Sequence, residues 1–475
     1  MKRSLLAALM LLAAPLAAAK QPNILVILTD DVGWGDLPCY NPKSRIPAPA
    51  VDKLAAEGMR FTHAHAAAAL CAPTRYSMLS GNYPWRGRSQ KGTWGYNIPS
   101  QFRVGQKSIA QMLRDAGYRS AMFGKAGIGG FWGMKPGVPP VRTAAPVKWG
   151  FDHSLLIPRG HQAPPQAFFR DGITLSGLKR GKAPDWDASK VGATLLDDAV
   201  SFLKDHVRNH GDRPFFLHFC TDGAHEPYVP AVRIAGKKLK GVTGMTGRTD
   251  MVHETDILLG ELVRTLETLG IRDDTLVIYT SDNGGLPFER AMGHDSVAGL
   301  RGKKSTIFEG GTRVPFIASW PGRVAPGTRY HHPIGTHDVV ATALDLAGVE
   351  KPHGQAVDSV SLAPVLLGDV PVRTPLRDFL VTQSSPGRGP SVDFGYQAGK
   401  LKSATKAKKN KNSGREMAFA IYQGDWKLVL DAGGRPVALY DLENDLGEET
   451  NLIDRHSDRV KALAAEFRRI RNKRS

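Results

Sequence analysis

The chain is expected to fold as an α/β sandwich, with a mixed, mostly parallel sheet between helix layers and a small C-terminal subdomain. Two observations carry that expectation. Short β-rich runs are almost continuously apolar rather than alternating, the mark of strands covered on both faces. Amphipathic segments of helical period lie between them, and strands alternating with helices build a sheet sandwiched by helices.

The strand runs are Asn23–Thr29, Pro214–Phe219, Thr275–Thr280 and Pro315–Trp320, with a weaker one at Arg119–Phe123. Ser108–Ala116 ends at Gly117, and Asp250–Leu269 carries Ile257, Leu258, Leu262, Leu266 and Leu269 before Gly270, so both read as helices closed by a glycine cap. After residue 370 the pattern changes. Residues 385–415 are rich in Gly, Ser and Lys. Ala418–Leu430 and Pro436–Tyr440 read as antiparallel strands, and Asp458–Ile470 reads as an amphipathic helix with Ser457 as its N-cap. The expected organisation is a leader over 1–19, a catalytic domain over 20–370, and a subdomain over 371–475 with a basic loop near 400–415.

The leader rests on Lys2 and Arg3, the apolar run Leu5–Leu16, and Ala17-Ala18-Ala19 before Lys20. That run is shorter than a membrane span. The expectation is an exported protein, periplasmic or extracellular, with no stable membrane insertion. The 475 residues carry a formal net charge of +18, much of it in Lys400–Lys411 and Arg468–Arg474. An exported basic protein points to an anionic polysaccharide rather than nucleic acid as partner. Three cysteines, Cys39, Cys71 and Cys220, are too few for a disulfide framework; whether Cys39 and Cys220 pair is left open.

Chemistry-bearing residues follow the strands. Asp30-Asp31 ends the first run, Gly124-Lys125 the weak one, Asp222 and His225 follow the second, and Asp282-Asn283 ends the third. Ligands of open α/β sheets bind beyond the carboxyl ends of strands, so these residues converge on one rim. Asp30, Asp31, Asp282 and Asn283 make an all-oxygen donor set suited to a hard cation; Ca²⁺ fits, and Mg²⁺ fits less well because it demands stricter octahedral geometry. Cys71-Ala72-Pro73-Thr74-Arg75 begins a helix, placing Cys71 among free amides at the positive dipole end, with Arg75 one turn later.

This segment, with Ser80-Gly81 downstream, resembles the signature of the formylglycine-dependent sulfatases. Gly124-Lys125-Ala126-Gly127, Ala224-His225-Glu226-Pro227, Leu300-Arg301-Gly302-Lys303-Lys304 and Glu309-Gly310-Gly311-Thr312-Arg313-Val314-Pro315 are similar to further motifs of that family, in order. The resemblance implies an alkaline-phosphatase-like sandwich. It implies a maturation enzyme, of the formylglycine-generating or an equivalent type, that oxidises Cys71. Asp30, Asp31, Asp282, Asn283 and residue 71 are then implied to bind Ca²⁺. The hydrated aldehyde attacks sulfur, Arg75 stabilises the attacking oxygen, and Lys125, His225 and Lys304 bind the sulfuryl group, with His225 and Lys304 assisting the leaving oxygen. The implied substrate is a sulfated carbohydrate, or otherwise an aryl sulfate. Phosphonate monoester or phosphodiester hydrolysis is the alternative, and a non-catalytic glycan-binding relative a further one. The sequence departs from the family at Gly127, where a histidine is usual. His294, His63 and His65 are the candidates to replace it, His294 foremost for its place before Lys304. The loops Trp85–Gly95 and Gly130–Pro140 hold aromatic and basic side chains, open to two readings: stacking on sugar rings or local packing.

Overall fold

The structure, a computed structural model, describes residues 21–89, 94, 98–131, 149–161, 164–171, 173–174, 182–385 and 418–473. The leader, the basic stretch near 400–415 and most of Gly130–Pro140 lie outside the described residues.

A 10-stranded sheet forms the centre. Its order is Thr328–Tyr330, Met59–Phe61, Phe316–Ser319, Thr275–Ser281, Asn23–Thr29, Phe215–Cys220, Arg119–Lys125, His153–Ile157, Phe169–Arg170 and Ile173–Thr174. The five strands from Thr275–Ser281 to His153–Ile157 run parallel, while Phe316–Ser319 is antiparallel to both of its neighbours. Every residue of Asn23–Thr29 and Thr275–Ser281 is buried, as their unbroken apolar character requires.

Side-chain alternation splits the core into two layers. Ile24, Val26 and Leu28 face the side that holds Tyr76, Leu79, Leu113 and Leu344. Leu25 and Ile27 face the other, against Leu54 of Pro49–Ala56, Leu195 and Phe202 of Val191–His210, and Leu258 and Leu262 of Gly247–Thr268. The helix predicted near Ser108 spans Ile109–Arg114, with Ser108 as cap accepting the Gln111 amide.

A 4-stranded antiparallel sheet, Leu380–Gln383, Phe419–Gln423, Trp426–Leu430 and Pro436–Asp441, forms the C-terminal layer with the helix Ser457–Asn472. Its core joins the main body through Tyr83, Trp85, Ile307 and Phe308. Two details differ from the sequence reading, and a third resolves the cysteine pairing it left open. Strand Leu380–Gln383 was not anticipated, because four residues show no usable period. Ser457 is the first helical residue and His456 holds the cap position, so the predicted cap is shifted by one. Cys39 and Cys220 are separate free thiols: Cys39 accompanies Asp52, whereas Cys220 pairs in register with Leu28 and Gly124 at the sheet centre. No helix among the described residues is long and apolar enough to cross a membrane.

Candidate functional site

Strand register assembles the rim. Thr29 lies opposite Ser281, Leu28 opposite Cys220, and Gly124 opposite Cys220, so the strands end almost level. The Asp282 amide then bonds the Thr29 carbonyl at 3.1 Å, which sets Asp282 beside Asp30. Asp31 adopts a left-handed backbone, φ 61°, at some energetic cost to a non-glycine residue. That turn brings its carboxylate to Lys304.

The helix Cys71–Ser80 enters this rim from the side. Leu70 is extended, and Thr74 folds back so that its hydroxyl donates to the Ala68 carbonyl at 2.9 Å and accepts from the Ala68 amide at 3.1 Å. Cys71 is therefore the first helical residue, with no side chain capping the free amides around it. Gly81 closes the helix at φ 69°, and a Cβ there would meet that of Ala356 at 2.4 Å, so only glycine fits.

Arg75 is fully enclosed. Its Nε and Nη2 donate to Asp282 Oδ2 at 3.0 and 2.6 Å, and its Nη1 donates to the Lys125 carbonyl at 2.9 Å. Lys125 Nζ donates to Asp30 Oδ2, and Lys304 Nζ lies 2.6 Å from Asp31 Oδ1. His225 sits at the mouth, with Nδ1–H donating to the Glu226 carbonyl at 2.8 Å and Nε2 3.9 Å from Asp31. Donor atoms of Asp30, Cys71 and Asp282 fall within 4.8 Å of one another.

Three buried carboxylates, Asp30, Asp31 and Asp282, thus face three cations, Arg75, Lys125 and Lys304. Burial opposes charge on Asp30, yet Lys125, His225, Arg75 and Lys304 outweigh it and hold Asp30 well below the usual carboxylate range. Burial and the Asp30 charge push Asp282 up to about 7, against the pull of Arg75. Burial also raises the Cys71 thiol; Lys125 and Lys304 pull it down, and Asp30 and Asp282 raise it again.

The donor chemistry suits a hard divalent cation. Asp30 Oδ1 and Asn283 Oδ1 are buried with no hydrogen-bond partner, and the Asn283 amide donates to Asp31 at 2.8 Å, which turns that oxygen free. Buried polar oxygens without partners are rare and call for an ion or water. With all three carboxylates ionised, their charges balance those of Arg75, Lys125 and Lys304, so a divalent cation, which favours the ionised forms, would leave the pocket positive and suited to an anion.

The structure does not bring His294 to this cluster. Its Nε2 lies 2.8 Å from Asp36 and its Nδ1 accepts the Arg45 amide at 3.4 Å, inside a buried network with Arg248 and Glu289, so neither nitrogen is left over. His63 and His65 sit instead at the contact with the C-terminal sheet, His65 against Tyr422. Gly127 adopts φ 70°, and a Cβ there would lie 3.0 Å from Arg75 Cδ. A side chain at 127 would press on the guanidinium stem. The sequence reading missed His161, buried beside Asp222 with its Nε2 2.7 Å away and its amide donating to the same carboxylate at 2.9 Å. Burial opposes charge on His161, but Asp222 reverses the balance and raises it. The only signal was its place a few residues past a strand end.

A family model described as Sulfatase matches residues 22–349. The chain belongs to the sulfatase family. This sulfatase is 28% identical to the N-acetylgalactosamine-6-O-sulfatase of Bacteroides thetaiotaomicron, over 94% of this chain and 92% of that one. It is 32% identical to human arylsulfatase A, over 95% and 86%. A solved structure from work on glycosaminoglycan metabolism by Bacteroides thetaiotaomicron superposes with a TM-score of 0.76 at 25% identity, covering 95% of this chain and 100% of the other. The enzyme is accordingly a sulfuric ester hydrolase, and its mixed central sheet with a separate antiparallel C-terminal layer is the sulfatase architecture.

Proposed function

We propose that this sulfatase removes sulfate from a sulfated carbohydrate, using formylglycine made from Cys71 and a Ca²⁺ ion held by Asp30, Asp31, Asp282 and Asn283. The observation that carries the reading is the convergence of Cys71, the partnerless oxygens of Asp30 and Asn283, and three cations, Arg75 and Lys125 buried and Lys304 partly so, on one strand-end rim. A buried thiol whose pKa is raised makes a poor nucleophile, which favours conversion of residue 71 over direct attack by sulfur.

When present, formylglycine supplies the attacking oxygen and Ca²⁺ supplies positive charge against it. The protein's own residues do the rest. Arg75, locked on Asp282, keeps a fixed positive charge beside residue 71. Lys125 and Lys304 present ammonium groups to the sulfuryl oxygens, where fixed charge favours the transition state over the ground state. His225, with Nδ1–H tied to Glu226, keeps Nε2 at the mouth to carry a proton to the departing sugar oxygen. The carbohydrate assignment is supported by the names of relatives that act on N-acetylgalactosamine sulfates, and by the net charge of +18.

The test is desulfation of a panel of defined sulfated glycans by protein whose peptide around position 71 has been weighed by mass spectrometry. Converted protein should be active. Cys71→Ala, or removal of divalent ions, should lower the rate by a factor on the order of 10⁴. An active unconverted thiol, a Cys71→Ala enzyme of normal rate, or faster cleavage of a phosphodiester than of any sulfate ester overturns the proposal.

A further inference from the structure

Away from the catalytic rim, three side chains meet where the main sheet touches the C-terminal sheet. His63 lies between strands Met59–Phe61 and Ala64–His65, His331 directly follows Thr328–Tyr330, and Asp425 forms the turn between Phe419–Gln423 and Trp426–Leu430. One donor atom from each falls within 4.8 Å of the other two. We infer that His63, His331 and Asp425 form a transition-metal site suited to Zn²⁺, which clamps the C-terminal sheet to the catalytic body.

The distances favour ligation over hydrogen bonding. His63 Nδ1 and His331 Nε2 lie 3.5 and 3.6 Å from Asp425 Oδ1. Those spacings are long for hydrogen bonds. They are near the ~3.3 Å edge of a tetrahedron whose metal–ligand bonds are about 2.0–2.1 Å. His63 is fully buried, yet neither of its ring nitrogens has a hydrogen-bond partner, a costly arrangement for a group aimed at two other donors. His331 is pre-oriented: its Nδ1 lies 2.6 Å from the Thr62 hydroxyl, which turns Nε2 toward Asp425, as an outer hydrogen bond orients metal-ligating histidines.

Backbone bonds hold the two histidines in place. The Thr62 amide bonds the Tyr330 carbonyl at 3.0 Å and the Ile334 amide bonds the His63 carbonyl at 3.1 Å. The nearby cation Arg313 is occupied, its Nε 2.6 Å from Glu309 and its Nη1 on the Thr62 carbonyl, so its charge is largely answered. The His331 side chain is 64% exposed and that of Asp425 30%, which gives an ion a way in and leaves room for a water as fourth ligand. Two imidazoles and one carboxylate select Zn²⁺ or a similar metal, unlike the all-oxygen set around Asp30.

The experiment is Zn²⁺ titration of the full chain by calorimetry, without an affinity tag and in saturating Ca²⁺ so that the catalytic rim does not compete. The unfolding midpoint is followed alongside, and Co²⁺ serves as a spectroscopic probe. Wild-type protein should bind one Zn²⁺ and melt higher with it, and Co²⁺ should give the intense visible absorption of tetrahedral coordination. His331→Gln and Asp425→Asn should each weaken binding more than about tenfold and abolish the absorption. In chelator, both should melt like the wild type, since little but the metal then joins the three groups. Equal Zn²⁺ binding in wild type and variants, or none in the wild type, overturns the inference and leaves His331 and Asp425 as a surface ion pair. No readout depends on sulfatase turnover, so this result and that of the catalytic proposal are independent.

Discussion

Gly127 shows how much one absent side chain says about a site. Its left-handed backbone and the 3.0 Å approach of Arg75 Cδ to a virtual Cβ mean that the turn after Lys125 is drawn tight around the guanidinium. Gly127→Ala is expected to lose roughly 1 kcal/mol of stability from the backbone alone. It should also slow turnover on any sulfate ester by moving Arg75 against Asp282. Thermal unfolding and kcat measured on the same preparation check this; unchanged kcat would mean that Arg75 tolerates the displacement. The residues that meet at the rim were legible in the sequence because each follows a strong strand run or stands in a distinctive motif. The error on His294 has a clear cause. Proximity in sequence to Lys304 carried it, whereas the fold turns the ring inward to Asp36, a partner more than 250 residues away and beyond the reach of local pattern.

At the level of elements, long buried strands and helices were readable because continuous apolar runs and 3.6-residue spacing are local properties. Two-residue strands and Leu380–Gln383 were not, since their existence depends on partners far along the chain. The strand His153–Ile157 illustrates such a dependence. His153 lies 2.9 Å from Asp198 of the helix Val191–His210 and 3.5 Å from Asp171. Burial pulls its pKa down, but the hydrogen bonds and charges of Asp171 and Asp198 prevail and push it from 6.5 up to about 9. Folding therefore gains from the protonated ring. That gain is full below about pH 6.5 and disappears as pH rises through about 9. His153→Gln should destabilise by on the order of 1 kcal/mol at pH 6 and by much less at pH 10. Denaturant unfolding at the two pH values tests it, and an equal loss at both would exclude the charged pairing.

For the molecule as a whole, the decisive contact is between the main body and the C-terminal sheet. Lys427, fully buried, lies 2.9 Å from Glu309 and 2.7 Å from Glu448, and Glu309 also accepts from Tyr422 at 3.0 Å. The Glu309 motif was visible in the sequence as a family feature, and Lys427 lay within a predicted strand, neither with an assigned job. Only the fold shows that they form one ionic joint, because their charges come from segments more than a hundred residues apart. Lys427→Met leaves Glu309 with Arg313 alone and Glu448 with no cation beside it among the described residues, and should cost about 3–5 kcal/mol. The loss should appear as a lower unfolding midpoint, accompanied by easier proteolysis of the C-terminal layer. An unshifted midpoint would show that the joint is dispensable.

The ten residues of Cys71–Ser80 are all buried, packed between the sheet and its neighbouring helices. An enzyme of the kind proposed to oxidise residue 71 would have no handle to grip once this helix is docked. Any such editing belongs to the interval between synthesis and collapse of the core. If catalysis needs the proposed formylglycine, a chain that misses that interval would fold yet stay inert, and later supply of an editing enzyme should not rescue it. Preparations from different hosts should therefore differ in the fraction of active molecules while sharing the same rate per active molecule.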